Sequence, residues 1–278
     1  NADYIFHPTI SGFGDIATSG AFVTYIFATA LLDRHDKYLS ILASISLITD
    51  MMPLVGYNRN FLRVVFKEFK KNEFLPITYL LDGQDFDENT IGMSIGPKIN
   101  AIGRIIKNTS INQIVKFFVS ENESEILSYY EWINNTNESR KLITKEAQIK
   151  TISVLNEEQS THSVCLTLDV LEGVIGLVAN NILSQLNCPC IIFTKSENDP
   201  GILKGSARAK EGFSIIDAFN YIKDYTLTHG GHKLAGGLSI KESDFEIVKS
   251  MFEEYCKNNP PVSVKKEYID IYLNEINK

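Results

Sequence analysis

The stretch "THGGHKLAGGLSI" (228–240) sets two glycine pairs around a short step that carries His232 and Lys233. Glycine tolerates positive φ and lets backbone N–H groups approach an anion with no Cβ between them. A histidine held there donates to phosphate oxygens, and the adjacent lysine adds charge. A turn feeding a strand, with a packed histidine, accounts for the same residues. Upstream, "KGSARA" (204–209) alternates function with filler. Along a strand alternate residues share a face, so Lys204, Ser206 and Arg208 point one way. An amine, a hydroxyl and a guanidinium in a row suit a phosphodiester backbone. An exposed polar edge is the other reading.

Two further stretches carry candidate chemistry. "SIGPKINAIGR" (94–104) reads as a Gly-Pro turn, then a helical step with Asn100 and Arg104 one turn apart. A structural turn with a capping asparagine fits equally. Asp50 ends the uncharged run "YLSILASISLIT" (38–49), near a helix C-terminus where the macrodipole disfavours an anion. A bound cation would offset both burial and dipole. A side chain that simply turns out to water is the alternative.

The elements that must position these residues change in kind near residue 155. Before it, helical patterns dominate: "GAFVTYIFATALL", the buried-looking 38–49, "RNFLRVVFKEFKK", and "TSINQIVKFF" with Thr109 or Ser110 as N-cap. From Glu121 to about Glu158 the chain is polar, helix-friendly and free of Pro and Gly, which predicts long helices. After it, "SVCLTLD" and "CIIFTK" read as strands separated by the helical "GVIGLVANNILSQL". "GILKGSAR" and "GGLSIK" add strands around the helical "SIIDAFNYIKDY", and "SDFE" predicts a capping box at Ser243 and Glu246.

Bulk properties bound the class. The 278 residues suffice for two lobes, and 44% hydrophobic with 22% charged residues is ordinary for a soluble globular protein. No uncharged run spans a bilayer and no signal-peptide pattern opens the chain. Cys165, Cys188, Cys190 and Cys256 have no Cys-x-x-Cys spacing, so the expectation is a reduced, cytoplasmic protein. The net charge of −7 argues against a protein coated in nucleic acid but leaves room for a local anion site. From Asn89 to Ser120 there is no acid, and Lys98, Arg104, Lys107 and Lys116 fall in that window. An Asn-Ala start suggests that the natural protein is longer.

These segments, in this order, resemble the RecJ single-strand-specific exonucleases of the DHH/DHHA1 phosphoesterase superfamily. "SISLITDMMPL" looks like the family's segment ending in a metal-binding aspartate, and "IGPKINAIGR" is similar to its Gly-Pro-Arg-Ile-Asn-Ala-Ala-Gly-Arg motif. "LEGVIGLVANNIL" with "KGSARA" resembles the opening and substrate strand of the DHHA1 domain, and "GGHKLAGGLSI" its glycine-histidine motif. The resemblance implies an α/β fold. The helical remainder of a DHH domain (1–120) would be joined by helices (121–155) to a smaller DHHA1 domain with a mixed sheet (156–262). An OB-like element would begin at 263–278.

Functionally the resemblance implies metal-dependent hydrolysis of single-stranded DNA from the 5′ end, in repair and recombination. Asp50 would be a ligand of Mn2+ or Mg2+, in a site incomplete in this chain. Asn100, Arg104, Ser206 and Arg208 would hold substrate, with Lys98 as a support. Gly230, Gly231 and His232 would lie near the scissile group, His232 in a catalytic role. The departures are an upstream aspartate-rich strand and an Asp-His-His motif that this chain does not contain, a missing Trp-His pair at the DHHA1 glutamate (Glu172), and lysine at 98 where arginine is usual. They leave open a non-catalytic module that binds single-stranded nucleic acid or a nucleotide. A relative of nanoRNases or cyclic-dinucleotide phosphodiesterases is a further reading.

Overall fold

The structure is a computed structural model that describes residues 3–8, 10, 17–106, 112–155 and 162–262. It divides into two compact units, Asn1–Arg140 and Lys141–Lys278. Thr109 and Ser110 lie outside the described residues, as does the stretch 263–278. The expected α/β class, with helices before a mixed sheet, is what the structure shows.

The first unit is helical. It contains α1 (Gly20–Leu32), α2 (Lys37–Thr49), α3 (Gly56–Glu68) and α4 (Leu75–Leu81). One helical run follows, made of α5 (Glu88–Thr90), a π-helical turn (Ile91–Ile95) and α6 (Gly96–Ile105), then α7 (Asn112–Val119). Within the polar 121–158 stretch Glu123–Leu155 form one long helix, α8, and the division between units falls inside it. The structure explains why α2 is apolar nearly all round. Its Ile41 and Ile45 pack with Ile77, Leu80 and Ile95, while Ala43 and Leu47 pack with Phe22 and Leu62. A helix with core on two sides needs apolar residues on both. Its buried serines satisfy themselves locally: Ser40 and Ser44 donate to the Lys37 and Ile41 carbonyls at 2.7 Å.

The expected Gly-Pro turn is not a turn. Gly96 and Pro97 sit inside the helical run, just past the π turn, where the Gly96 N–H reaches back to the Ile91 carbonyl. In a regular α-helix a proline ring collides with the carbonyl four residues earlier, and a wider turn relieves it. The residue before proline resists helical angles, which glycine adopts at least cost. Packing demands this glycine as well, because a Cβ there would stand 2.6 Å from Thr49 Cγ2.

Among the described residues the second unit has a five-stranded sheet of β1 (Val164–Thr167), β2 (Cys190–Lys195), β3 (Ile202–Arg208), β4 (Thr228–His232) and β5 (Ala235–Lys241), in the order β1-β2-β3-β5-β4. The β1–β2 pair is parallel, so it needs a crossover, which α9 (Ile175–Leu186) supplies; the other pairs are antiparallel. Strand alternation divides the core in two. On one face Val164, Leu166, Cys190 and Ile192 pack under Val178 and Ile182 of α9. On the other, Ile191, Phe193, Leu203 and Leu238 pack under Phe219 of α10 (Ile215–Tyr221) and Phe252 of α11 (Phe245–Asn258). The sequence reading missed β4. The capping box is also corrected: Glu242–Asp244 form a 3-10 turn, Ser243 bonds Asp244, and no side chain caps α11. No described helix is long and apolar enough to cross a membrane.

All four cysteines are buried in this unit. Burial raises each thiol, to about 12 for Cys190 and Cys256. The thiolate is the reactive form, so these groups are inert in the folded state. Because the folded values lie above the unfolded value of about 8.5, this contribution to stability is whole below that pH and is lost as pH climbs toward the folded values. The folded protein at pH 8 is expected to react with Ellman's reagent far more slowly than a free thiol. The urea-unfolded chain should release all four equivalents. Prompt reaction of the folded protein would contradict this packing.

Candidate functional site

The register of three neighbouring strands assembles the second unit's candidate residues. Arg208 pairs with Ala235, which pairs with His232. One row away Ser206 pairs with Gly237, and Gly237 with Gly230; in the next, Lys204 pairs with Ser239, and Ser239 with Thr228. Directly opposed residues share a face, so these three rows form one surface. The 2.6 Å contact between the Thr228 and Ser239 hydroxyls shows them meeting on it. The predicted alternation of Lys204, Ser206 and Arg208 therefore holds, and His232 stands on the same face as Arg208. Gly230, Gly237 and His232 are exposed there.

α9 closes the β3 side of this shelf with its first turn. A Cβ on Gly176 would stand 2.9 Å from the Arg208 guanidinium and 3.2 Å from Ser206 Oγ. Only a bare backbone lets both side chains lie against the helix start. Arg208 Nη1 donates to Ser206 Oγ at 3.0 Å and to the Ala207 carbonyl at 2.7 Å, which fixes the pair. A 3-10 turn, Glu172–Val174, leads into α9, and among the described residues no side chain caps it. A helix N-terminus is the positive end of its dipole, and here a guanidinium lies beside it. Two positive groups held together favour an anion between or above them.

The hairpin that carries the other rim is pinned at its turn. The Lys233 and Leu234 carbonyls accept from the N–H groups of Ile215 at 2.8 Å and Ala209 at 2.9 Å. Its glycines serve different ends. Gly231 has φ 144°, and a Cβ would stand 2.5 Å from the Ala235 carbonyl oxygen and the Gly236 Cα. Gly236 faces Phe219 and Ile215 with no room for a Cβ. Gly230 has nothing within 4 Å of that position and is open surface. Sequence reasoning missed Gly176, Gly237 and the Thr228–Ser239 pair. The glycine of "GVIG" was the signal for the first.

In the first unit the candidate residues fall into two groups. Asp50 caps the C-terminus of α2, is exposed, and accepts from the Ser46 hydroxyl at 3.0 Å. Ser46 also lines, with Thr49, Gly96 and Asn100, a cavity of about 290 Å³ between α2 and α6. Close approach at Gly96 thus brings Asn100 near the end of α2 that carries Asp50. Arg104 is half-buried in the last turn of α6. Lys98 is corrected as a substrate support: it is buried, pairs with Asp82, donates to the Leu80 carbonyl at 3.0 Å, and lies over the Tyr130 ring. The Tyr130 hydroxyl also bonds Asp82, and burial with that carboxylate raises it to about 12. Lys98 ties α4, α6 and α8 together.

A divalent cation takes about six oxygen ligands. Among the described residues no cluster of three or more His, Cys, Asp or Glu side chains is arranged to hold one. Asp50 and the Ser46 hydroxyl do not make a metal centre by themselves.

The DHHA1 domain family matches residues 159–258. The chain is 28% identical over 265 residues to the single-stranded-DNA-specific exonuclease RecJ of Bacillus subtilis, covering 91% of this chain and 33% of that protein. It is 30% identical over 181 residues to RecJ of Haemophilus influenzae, covering 62% and 31%. It thus spans about a third of the length of these relatives. Crystal structures of RecJ from Thermus thermophilus with Mn2+ and with Mg2+ superpose with TM-scores of 0.80 and 0.79 at 21% identity. They cover 92% of this chain and 39% and 41% of those chains. The resemblance read from the motifs is thereby borne out, and the fold is that of the RecJ structures.

The glycine assignment predicts a split. Gly231→Ala should destabilise the protein by about 1–3 kcal/mol, because the backbone it meets cannot move aside. Gly230→Ala should stay within about 0.5 kcal/mol of the parent, as a change in open space does. Urea unfolding followed by circular dichroism measures both. Equal losses would place Gly230 in the packing rather than on the surface.

Proposed function

We propose that this chain grips the sugar-phosphate backbone of single-stranded DNA, as the substrate-holding part of a RecJ-type exonuclease. The observation that carries the reading is the Ser206–Arg208 pair lying against the uncapped start of α9, on the face that also bears Gly230 and His232. That surface offers a guanidinium, a hydroxyl, a helix N-terminus and exposed bare backbone. These groups recognise phosphate rather than base edges. In the same reading Asn100 and Arg104 contribute phosphate contacts from the first unit. Asp50 is one ligand of a divalent cation, Mn2+ or Mg2+, whose remaining ligands are not among the described residues. His232, exposed at the end of β4, would lie beside the reacting phosphate. The relatives' names support DNA as the substrate and a hydrolase as the parent activity.

Two outcomes follow. The chain with Mn2+ and labelled single-stranded DNA is expected to bind without release of nucleotides; protein-dependent release would show a complete catalytic centre here. Arg208→Ala should weaken binding to all sequences alike and flatten the slope of log affinity against log salt by roughly 0.7, the share of one phosphate contact on a single strand. Lys257→Ala, on α11 across the sheet, should leave that slope unchanged. Anisotropy of fluorescent oligonucleotides titrated with salt reads both. An unchanged slope for Arg208→Ala, or a loss confined to some sequences, removes Arg208 from a phosphate site.

A further inference from the structure

The first unit carries a concave surface whose chemistry is unlike that of the shelf. A cavity of about 530 Å³ opens between the lead-in to α4 and the segment that joins α7 to α8. Pockets of roughly 300–1,000 Å³ seat a drug-sized ligand, so this one has room for a large side chain and its neighbour. Tyr38, Phe74 and Phe118 line it as half-buried rings, and Val119 stands exposed beside them. Its floor is held in place. Tyr38 stacks on Phe74 with ring centroids 4.8 Å apart, and its hydroxyl donates to the Phe118 carbonyl at 2.7 Å.

Charge narrows the occupant. Two carboxylates, Glu73 and Glu121, line the cavity, and among the described residues no lysine or arginine does. Lys70, Lys71 and Lys116 belong to neighbouring stretches of sequence but not to the lining. Lys37 pairs with Glu73 from outside the lining, and its ammonium lies 5.9 Å from the Phe74 ring centroid. That contact shows what this rim accepts: a cation held by a carboxylate beside a ring face. Glu121, in the other wall, is exposed, and among the described residues no hydrogen bond or ion pair engages its side chain. A phosphate or an anionic membrane surface would meet two carboxylates here and no lining base. A basic segment finds complementary charge.

We propose that this cavity docks a protein partner through an exposed segment in which phenylalanine or leucine is flanked by lysine or arginine. The apolar side chain enters among the rings, and a neighbouring cation meets Glu121. A buried apolar anchor supplies affinity in such contacts, while rim charge supplies selectivity. The site is separate from the single-strand grip and does not rest on it.

The probe is a Gly-Lys-Phe-Leu-Lys-Gly peptide, labelled with a fluorophore and titrated into the full chain by anisotropy. Saturable binding is expected, and Gly-Glu-Phe-Leu-Glu-Gly and Gly-Lys-Ala-Ala-Lys-Gly should each bind roughly tenfold more weakly or worse. Glu121→Lys should weaken the first peptide roughly tenfold, because an attraction is lost and a repulsion gained. Glu131→Lys makes the same charge change at an exposed position of α8 outside the cavity and should stay within about twofold of the parent. Should Glu121→Lys fail to fold by circular dichroism, Val119→Arg carries the test from a second exposed wall position. Equal losses for the two glutamate variants would reduce the effect to net charge and overturn the site, as would equal binding of the glutamate peptide. Displacement of the peptide by oligothymidylate would make the cavity part of a nucleic-acid path. Self-association of the chain that Glu121→Lys abolishes would make the occupant a second copy. Either outcome overturns the proposed partner, and absence of binding by the parent does so outright.

Discussion

The pairing register of β3, β5 and β4 is the constraint on which the second unit's surface depends. With Arg208 opposite Ala235 and Ala235 opposite His232, the candidate side chains of three strands rise from one face. A slip of one residue between β4 and β5 would send Gly230 and His232 to the α10 side and bring His229 and Gly231 up in their place. Several contacts resist that slip. The turn carbonyls of Lys233 and Leu234 are held by Ile215 and Ala209, and the far end is held by Thr228 on Ser239. His229 packs edge-on against Phe219 from the opposite face, with ring centroids 6.1 Å apart. Gly231 and Gly236 have no room for a Cβ at the register they occupy.

The same register shows what was legible in the sequence. Alternation in "KGSARA" gave the shared face of Lys204, Ser206 and Arg208, because a period of two survives in any strand. The strand β4 was not legible. "THGGH" has little intrinsic preference for extended structure, and its residues are exposed, so no apolar alternation marks it. Pairing with β5 imposes the conformation. Nor does the sequence separate the glycines: Gly231 and Gly236 answer to close neighbours, Gly230 to open space, and those neighbours are set by the tertiary fold. The π turn was hidden for a related reason. Gly-Pro is a turn signal wherever the chain is free to leave the helix, but here the flanking Ile91 and Ile95 are fully buried and hold the run in place.

In the first unit, helix geometry sorts charges that composition alone treats as equals. Lys98 and Arg104 are six residues apart, about 240° around an α-helix, whereas Asn100 and Arg104 differ by about 40°. Lys98 therefore turns toward Asp82 and Tyr130, while Asn100 and Arg104 share a side. A buried ion pair of this kind is weak evidence of added stability, yet losing one partner strands the other charge in the core. The acid-free window from Asn89 to Ser120 thus contains at least one cation spent on packing. Its meaning as an anion-binding patch then rests on the cations that remain, half-buried Arg104 and exposed Lys116 among them.

The surface chemistry of the shelf suits one kind of contact. The shelf on β3, β5 and β4 is built of Lys204, Ser206, Arg208, Ala235, Gly237, Ser239, Thr228, Gly230 and His232, with no phenylalanine, tyrosine or tryptophan in its rows. In the proposed reading such a surface would grip a repeating backbone and be indifferent to the bases strung on it. In a chain of net charge −7 it must also work by local placement rather than by a general positive field. That favours short-range contacts: a guanidinium fixed by Ser206, and a helix end freed of a Cβ at Gly176. In the proposed reading, a grip made this way would tolerate any sequence while fixing where each phosphate lies.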